Sequence, residues 1–143
     1  MDALTHGFGL AGVALTVNRA AVGVFFAFSG YHKVFNRARH EALVSTLNKD
    51  GVPLVRINQW FVPIVELTAG SAVAMGLYAP MCAFFLVAIC MVATCLDGVE
   101  RIKDWAPIDW ADWCDDLLYL PEVLLGVMLV VVIGAGPGGL ALT

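Results

Sequence analysis

Residues 61–82 read FVPIVELTAGSAVAMGLYAPMC, and two features of this stretch decide what kind of protein the chain makes. Glu66 stands between two apolar runs, and Tyr78 and Pro80 then interrupt the sequence without bringing in a charged residue. An uncharged break between apolar runs reads as a tight hairpin of two helices that share one apolar medium. A glutamate in such a run is costly unless it faces protein rather than lipid.

The composition identifies the medium. The chain has 143 residues, 60% hydrophobic and 14% charged, with a mean hydropathy of +0.83. A water-soluble domain of this length would have too little polar surface. The net charge of -4 and the pI near 5.1 exclude nucleic acid as a partner, because phosphate binding needs a basic face.

Working outward from residues 61–82, four apolar segments span 8–31, 60–78, 81–96 and 117–140. Each approaches the roughly 20 residues that cross a bilayer core, the third being the shortest. The sequence therefore predicts an all-α integral membrane four-helix bundle, a single domain over residues 1–143. The opening MDALTHG has no Lys or Arg, and Arg19 interrupts the first apolar run, so that segment reads as a retained helix rather than a signal peptide.

Lys33, Arg37, Arg39, Lys49 and Arg56 fall between the first two segments, and Arg101 and Lys103 between the last two. The positive-inside rule makes both of these loops cytoplasmic and sends both termini to the periplasmic side. In the first loop, RARHEALVSTLNKDGVP (37–53) carries Ala42, Leu43 and Leu47 at helical spacing and stops at Gly51 to Pro53. This predicts a short amphipathic helix lying on the membrane.

The second loop, DGVERIKDWAPIDWADWCDD (97–116), holds Asp104, Asp109, Asp112, Asp115 and Asp116 without the spacing or the glycine of a calcium loop, so no metal is expected there. Trp105, Trp110 and Trp113 read instead as interfacial anchors and as a rim on which a partner could dock. Cys82, Cys90, Cys95 and Cys114 contain no C-x-x-C, and His6, His32 and His40 lie at or beyond the segment ends. Zinc, iron–sulfur and haem all lack their ligand spacing, and no intrinsic cofactor is expected.

The polar residues inside the helices are the candidate site. Glu66 and Glu122 are each followed four residues later by a glycine, Gly70 and Gly126, and each has a nearby proline, Pro63 and Pro121. The first segment places Arg19, Gly23, Phe26, Gly30 and Lys33 along one stripe. Residues four apart share a helix face, so each charge points with a small residue toward neighbouring helices. The expectation is one buried polar cluster of Arg19, Glu66 and Glu122. It would either lock the bundle together or serve proton and ligand chemistry.

On these residues the chain resembles the DoxX family of small four-helix bacterial membrane proteins. The matching stretches are NRAAVGVFFAFSGYHKVF (18–35) with Arg19, Gly23, Gly30 and Lys33, and the GVP at 51–53. They continue with VPIVELTAGSAVAMGLYAP (62–80) around Glu66, Gly70 and Gly76, and PEVLLG (121–126) followed by GAGPGG (134–139). The family often closes on Ser-Leu-Asp, whereas this chain ends GPGGLALT, so no role of that end carries over. The resemblance implies a multi-pass protein of the bacterial inner membrane, one of the small subunits attached to redox systems such as thiosulfate:quinone oxidoreductase or terminal quinol oxidase assemblies. It leaves two readings and a weaker third. The first is an accessory subunit, without catalysis of its own, that holds other membrane subunits in the bilayer. The second is a direct quinone role in which Glu66, Glu122 or Lys33 moves protons and a quinone or lipid sits among Lys33, His32 and Trp60. The third is a small-molecule transporter.

Overall fold

The structure is a computed structural model that describes residues 10–136 and 138. The beginning of the first apolar segment, its neighbour His6, the two termini and the GPGGLALT ending beyond Gly136 lie outside the described residues, Gly138 apart. Helix α1 spans Ala11–Phe35, α2 Arg37–Lys49, α3 Val55–Met75 and α4 Ala79–Ala93. A π turn over Thr94–Gly98 continues α4 into α5, Val99–Trp105; α6, Trp110–Tyr119, and α7, Pro121–Ala135, complete the chain.

The boundaries follow from local chemistry. Asn36 leaves the helical region to end α1 and caps α2, its side-chain oxygen accepting from the backbone N–H groups of Ala38 at 3.1 Å and Arg39 at 3.4 Å. Gly76, at φ 83°, ends α3 in the left-handed conformation, and Leu77 N–H returns to the Ala72 carbonyl at 2.9 Å. Tyr78 then starts α4 with Pro80 in its first turn, where a missing N–H is harmless. This is the tight hairpin read from residues 61–82.

One core collects Val22 and Phe26 from α1, Ala69 and Val73 from α3, Ala79, Ala83, Leu86 and Cys90 from α4, and Leu129 and Val132 from α7. Those four helices form the bundle. Its outside is apolar as well, with Phe25, Phe28, Phe61, Phe84 and Val127 exposed, as expected where lipid rather than water is the solvent. α1 and the continuous Ala79–Trp105 unit are each long and apolar enough to cross a membrane, and α6 with α7 makes a third such unit bent by 66°. α3, which carries Arg56, Asn58, Gln59 and Glu66, is not counted among them on composition. The protein is an integral membrane protein.

Two expectations are corrected. Residues 97–116, read as a loop, are mostly helical, and the third segment runs on through residue 96 into them. Gly98 is absorbed by the π turn, in which Val99 N–H bonds the Thr94 carbonyl five residues back. The true break comes before Pro107, where Ala106 takes a φ of 53°. The fourth segment is likewise not one helix from residue 117, because buried Leu120 is held extended (ψ 128°) ahead of Pro121.

Candidate functional site

α1 and α3 form the most extensive helix pair, and glycines set its spacing. A Cβ at Gly30 would lie 2.4 Å from the backbone nitrogen of Leu67, one at Gly23 2.4 Å from that of Ala74, and one at Gly70 2.6 Å from that of Ala27. No side chain fits at these points, so the two backbones touch. Contact of residue 30 with 67 and of 23 with 74 also fixes an antiparallel register.

That register delivers Ser29 and Lys33 to Glu66. Lys33 Nζ donates to both carboxylate oxygens at 2.7 Å, and Ser29 Oγ donates to Oε2 at 3.1 Å. The Glu66 side chain is 5% exposed and that of Lys33 27%. A buried carboxylate that receives a bidentate ammonium and a hydroxyl is compensated by charge and by hydrogen bonds together.

The pair lines a hollow of about 480 Å³. α2 and its C-cap roof it with Leu43, Thr46, Leu47 and Asp50; α3 contributes Phe61, Val62 and Val65; α4 and the π turn contribute Phe85, Ile89, Val92 and Asp97. The amphipathic helix read from residues 37–53 is thus α2, with Leu43 and Leu47 facing the hollow. His40 fastens it, its Nδ1 lying 3.2 Å from the Lys33 carbonyl and its ring against that of Trp60 at 4.5 Å.

The expected cluster of Arg19, Glu66 and Glu122 is not what the structure assembles. Arg19 is buried on the predicted stripe with Gly23, Phe26 and Gly30, but its Nη1 donates to the Val73 carbonyl at 3.4 Å. Val73 lies seven residues beyond Glu66, roughly 10 Å along α3. Glu122 belongs to a second group: Arg101 Nη2 donates to its Oε1 at 2.5 Å, and Arg101 Nε stands 2.9 Å from Asp97 Oδ2 without the alignment of a hydrogen bond. Glu122 Oε2 is buried and has no hydrogen-bond partner among the described residues. Asp97 lines the hollow, so this second group reaches the same space through that one side chain.

The trio Lys33, His32 and Trp60 is also divided. Lys33 lines both this hollow and a second one, where His32 joins it, and neither lining includes Trp60, which stacks on His40 instead. The predicted anchors sit around the α5–α6 joint: Trp105 half exposed with its ring edge toward Tyr119 at 6.3 Å, Trp110 exposed at the start of α6, and Trp113 half buried. The four cysteines are free, and no group of three or more His, Cys, Asp or Glu side chains converges among the described residues.

Sequence reasoning missed Ser29, Asp97 and Arg101. Ser29 was legible as the residue four before Lys33 and one before Gly30, but Arg101 becomes a partner only because α5 is helical. A family model described as DoxX matches residues 14–97, more than half of the chain. That range includes Lys33, Glu66 and Asp97 and ends short of Arg101 and Glu122. No curated protein and no solved structure matches the chain.

Proposed function

From the premise that this chain belongs to the DoxX family, we propose that it is a non-catalytic subunit of a quinone-linked membrane assembly. In this reading the hollow under α2 holds the head group of a quinone or quinol. The observation that supports this most is the bidentate Lys33–Glu66 pair on the wall of a mostly apolar space of about 480 Å³. Small-molecule sites have this makeup, mostly apolar walls with a few placed polar groups that fix orientation. The Lys33 ammonium can donate to a quinone carbonyl, and the Glu66 carboxylate can accept from a quinol hydroxyl. The pair therefore suits both redox forms and can hold a proton at the head group. Phe61, Phe85 and Val92 offer apolar contact to the ring and tail. Electrons would come from and go to partner subunits.

Titrating the purified protein with a short-chain quinone analogue, followed by quenching of its tryptophan fluorescence, tests this. Saturable binding by the native chain, weakened at least about tenfold in Glu66→Gln, is expected, a loss of about 1.4 kcal/mol. Equal binding by a Lys33→Met, Glu66→Gln double variant would remove the site from the hollow. Quinone turnover by the isolated chain with an ordinary donor would overturn the non-catalytic part of the reading.

A further inference from the structure

The outer face of α1 carries a second hollow of about 330 Å³, lined by Phe25, Phe28, Ser29, His32, Lys33 and the first turn of α2 at Arg39. We infer that this hollow is a binding site for an anionic phospholipid, with His32 and Arg39 on the phosphodiester and Phe25 and Phe28 against an acyl chain. The inference is independent of the quinone reading, which concerns the other side of Lys33.

Three observations carry it. The lining changes chemistry in one direction: two phenyl rings, 49% and 61% exposed, come first, then a hydroxyl, then an imidazole and two cations. From Phe25 to Lys33 is roughly 12 Å of helix, which fits within one lipid leaflet of about 20 Å. The charge is also one-sided, since no carboxylate lines the hollow. Lys33 is already neutralised by Glu66, whereas Arg39 has no acidic partner among the described residues, so its charge is open to a ligand. Lastly, the backbone that carries Arg39 is held: its N–H donates to the Asn36 side chain, which fixes the first turn of α2 beside the end of α1. A basic pocket at the ends of spanning helices is the usual form of a site for an anionic head group.

The test uses the full chain, stripped of lipid in a neutral detergent, and follows its thermal midpoint with added phosphatidylglycerol, phosphatidylcholine or inorganic phosphate. Phosphatidylglycerol should raise the midpoint, and neither of the others should. The double variant His32→Gln, Arg39→Gln should lose this response while keeping the native midpoint in phosphatidylcholine, and Arg39→Lys should retain most of it. A response to phosphatidylcholine as large as to phosphatidylglycerol would overturn the inference. So would a full response to phosphate alone, or an unchanged response in the double variant. If the double variant does not fold, salt decides on the native chain. The phosphatidylglycerol effect should disappear at 1 M salt, where the screening length is about 3 Å, and its persistence there would overturn the inference.

Discussion

α3 and α7 carry the same sequence device, a glutamate followed four residues later by a glycine, yet the structure treats them differently. On α3, Gly70 is pressed against the backbone of α1, and Glu66 is almost wholly buried with two donors on its carboxylate. On α7, a Cβ at Gly126 would meet only Cys90 Cβ, at an ordinary 3.8 Å, and Glu122 remains 24% exposed with one oxygen unpartnered among the described residues. The spacing sets which way a carboxylate points. The tightness of the helix seam sets how far it is desolvated, and so how much its partner matters.

The largest expected effect lies in the seam itself. Gly30→Val would drive a side chain into the backbone of Leu67, with no flexible neighbour to yield, and should destabilise the protein by about 3 kcal/mol or more. Gly126→Ala should be neutral or stabilising by up to about 1 kcal/mol, because helix propensity improves and nothing clashes. Thermal midpoints of the two variants in one detergent check the contrast. A Gly30 variant as stable as the native chain would mean that the α1–α3 contact is not as close as described.

Removing the cations should follow the same order. Lys33→Met leaves a buried carboxylate without its ammonium and should cost about 3 kcal/mol, the lower end for a broken buried pair, since Ser29 still donates. Arg101→Met acts on a pair that is 35% and 24% exposed and should cost about 1 kcal/mol. Equal losses would erase the distinction between the two glutamates. Chemical denaturation of both variants measures it.

The smallest effect belongs to the exposed bridge from Lys49 on α2 to Glu100 on α5, 3.0 Å long. The hydrogen bond that the Lys49 ammonium donates to Glu100 holds it above its ordinary pKa. A raised folded-state value means that any contribution is present below the ordinary lysine pKa and is lost as pH rises through the raised one. Both side chains are open to solvent, so Lys49→Gln should leave the thermal midpoint unchanged at neutral pH, and the two chains should stay alike at strongly alkaline pH, where the bridge is lost. A clear neutral-pH loss would show that this bridge holds α2 over the hollow.

Much of the bundle was legible from hydropathy and breakers: the helix bearing Glu66, the uncharged hairpin at Gly76 to Pro80, and α2 from the spacing of Leu43 and Leu47. The buried face of α1 was legible too, because Arg19, Gly23, Phe26 and Gly30 repeat at helical intervals. What the pattern did not supply was axial register. A stripe tells which residues face inward but not which two meet, so the pattern sets Glu66 with Arg19, whereas the contact of Gly30 with Leu67 brings Lys33 to it. The second group was hidden for another reason: Gly98, Pro107 and the run of tryptophans and aspartates look like a loop, and only the π turn that absorbs Gly98 carries Arg101 to Glu122.

The central claim is that Glu66 belongs to Lys33 on a glycine-spaced seam, on the wall of the hollow beneath α2. Two double-mutant cycles on the full chain test it most directly, one combining Lys33→Met with Glu66→Gln and the other Arg19→Leu with Glu66→Gln, each read as unfolding free energy. The first cycle should show a coupling of about 2 kcal/mol, and the second should be additive to within about 0.5 kcal/mol, as expected for groups roughly 10 Å apart. Additivity in the first cycle, with strong coupling in the second, would contradict the account and return Glu66 to Arg19.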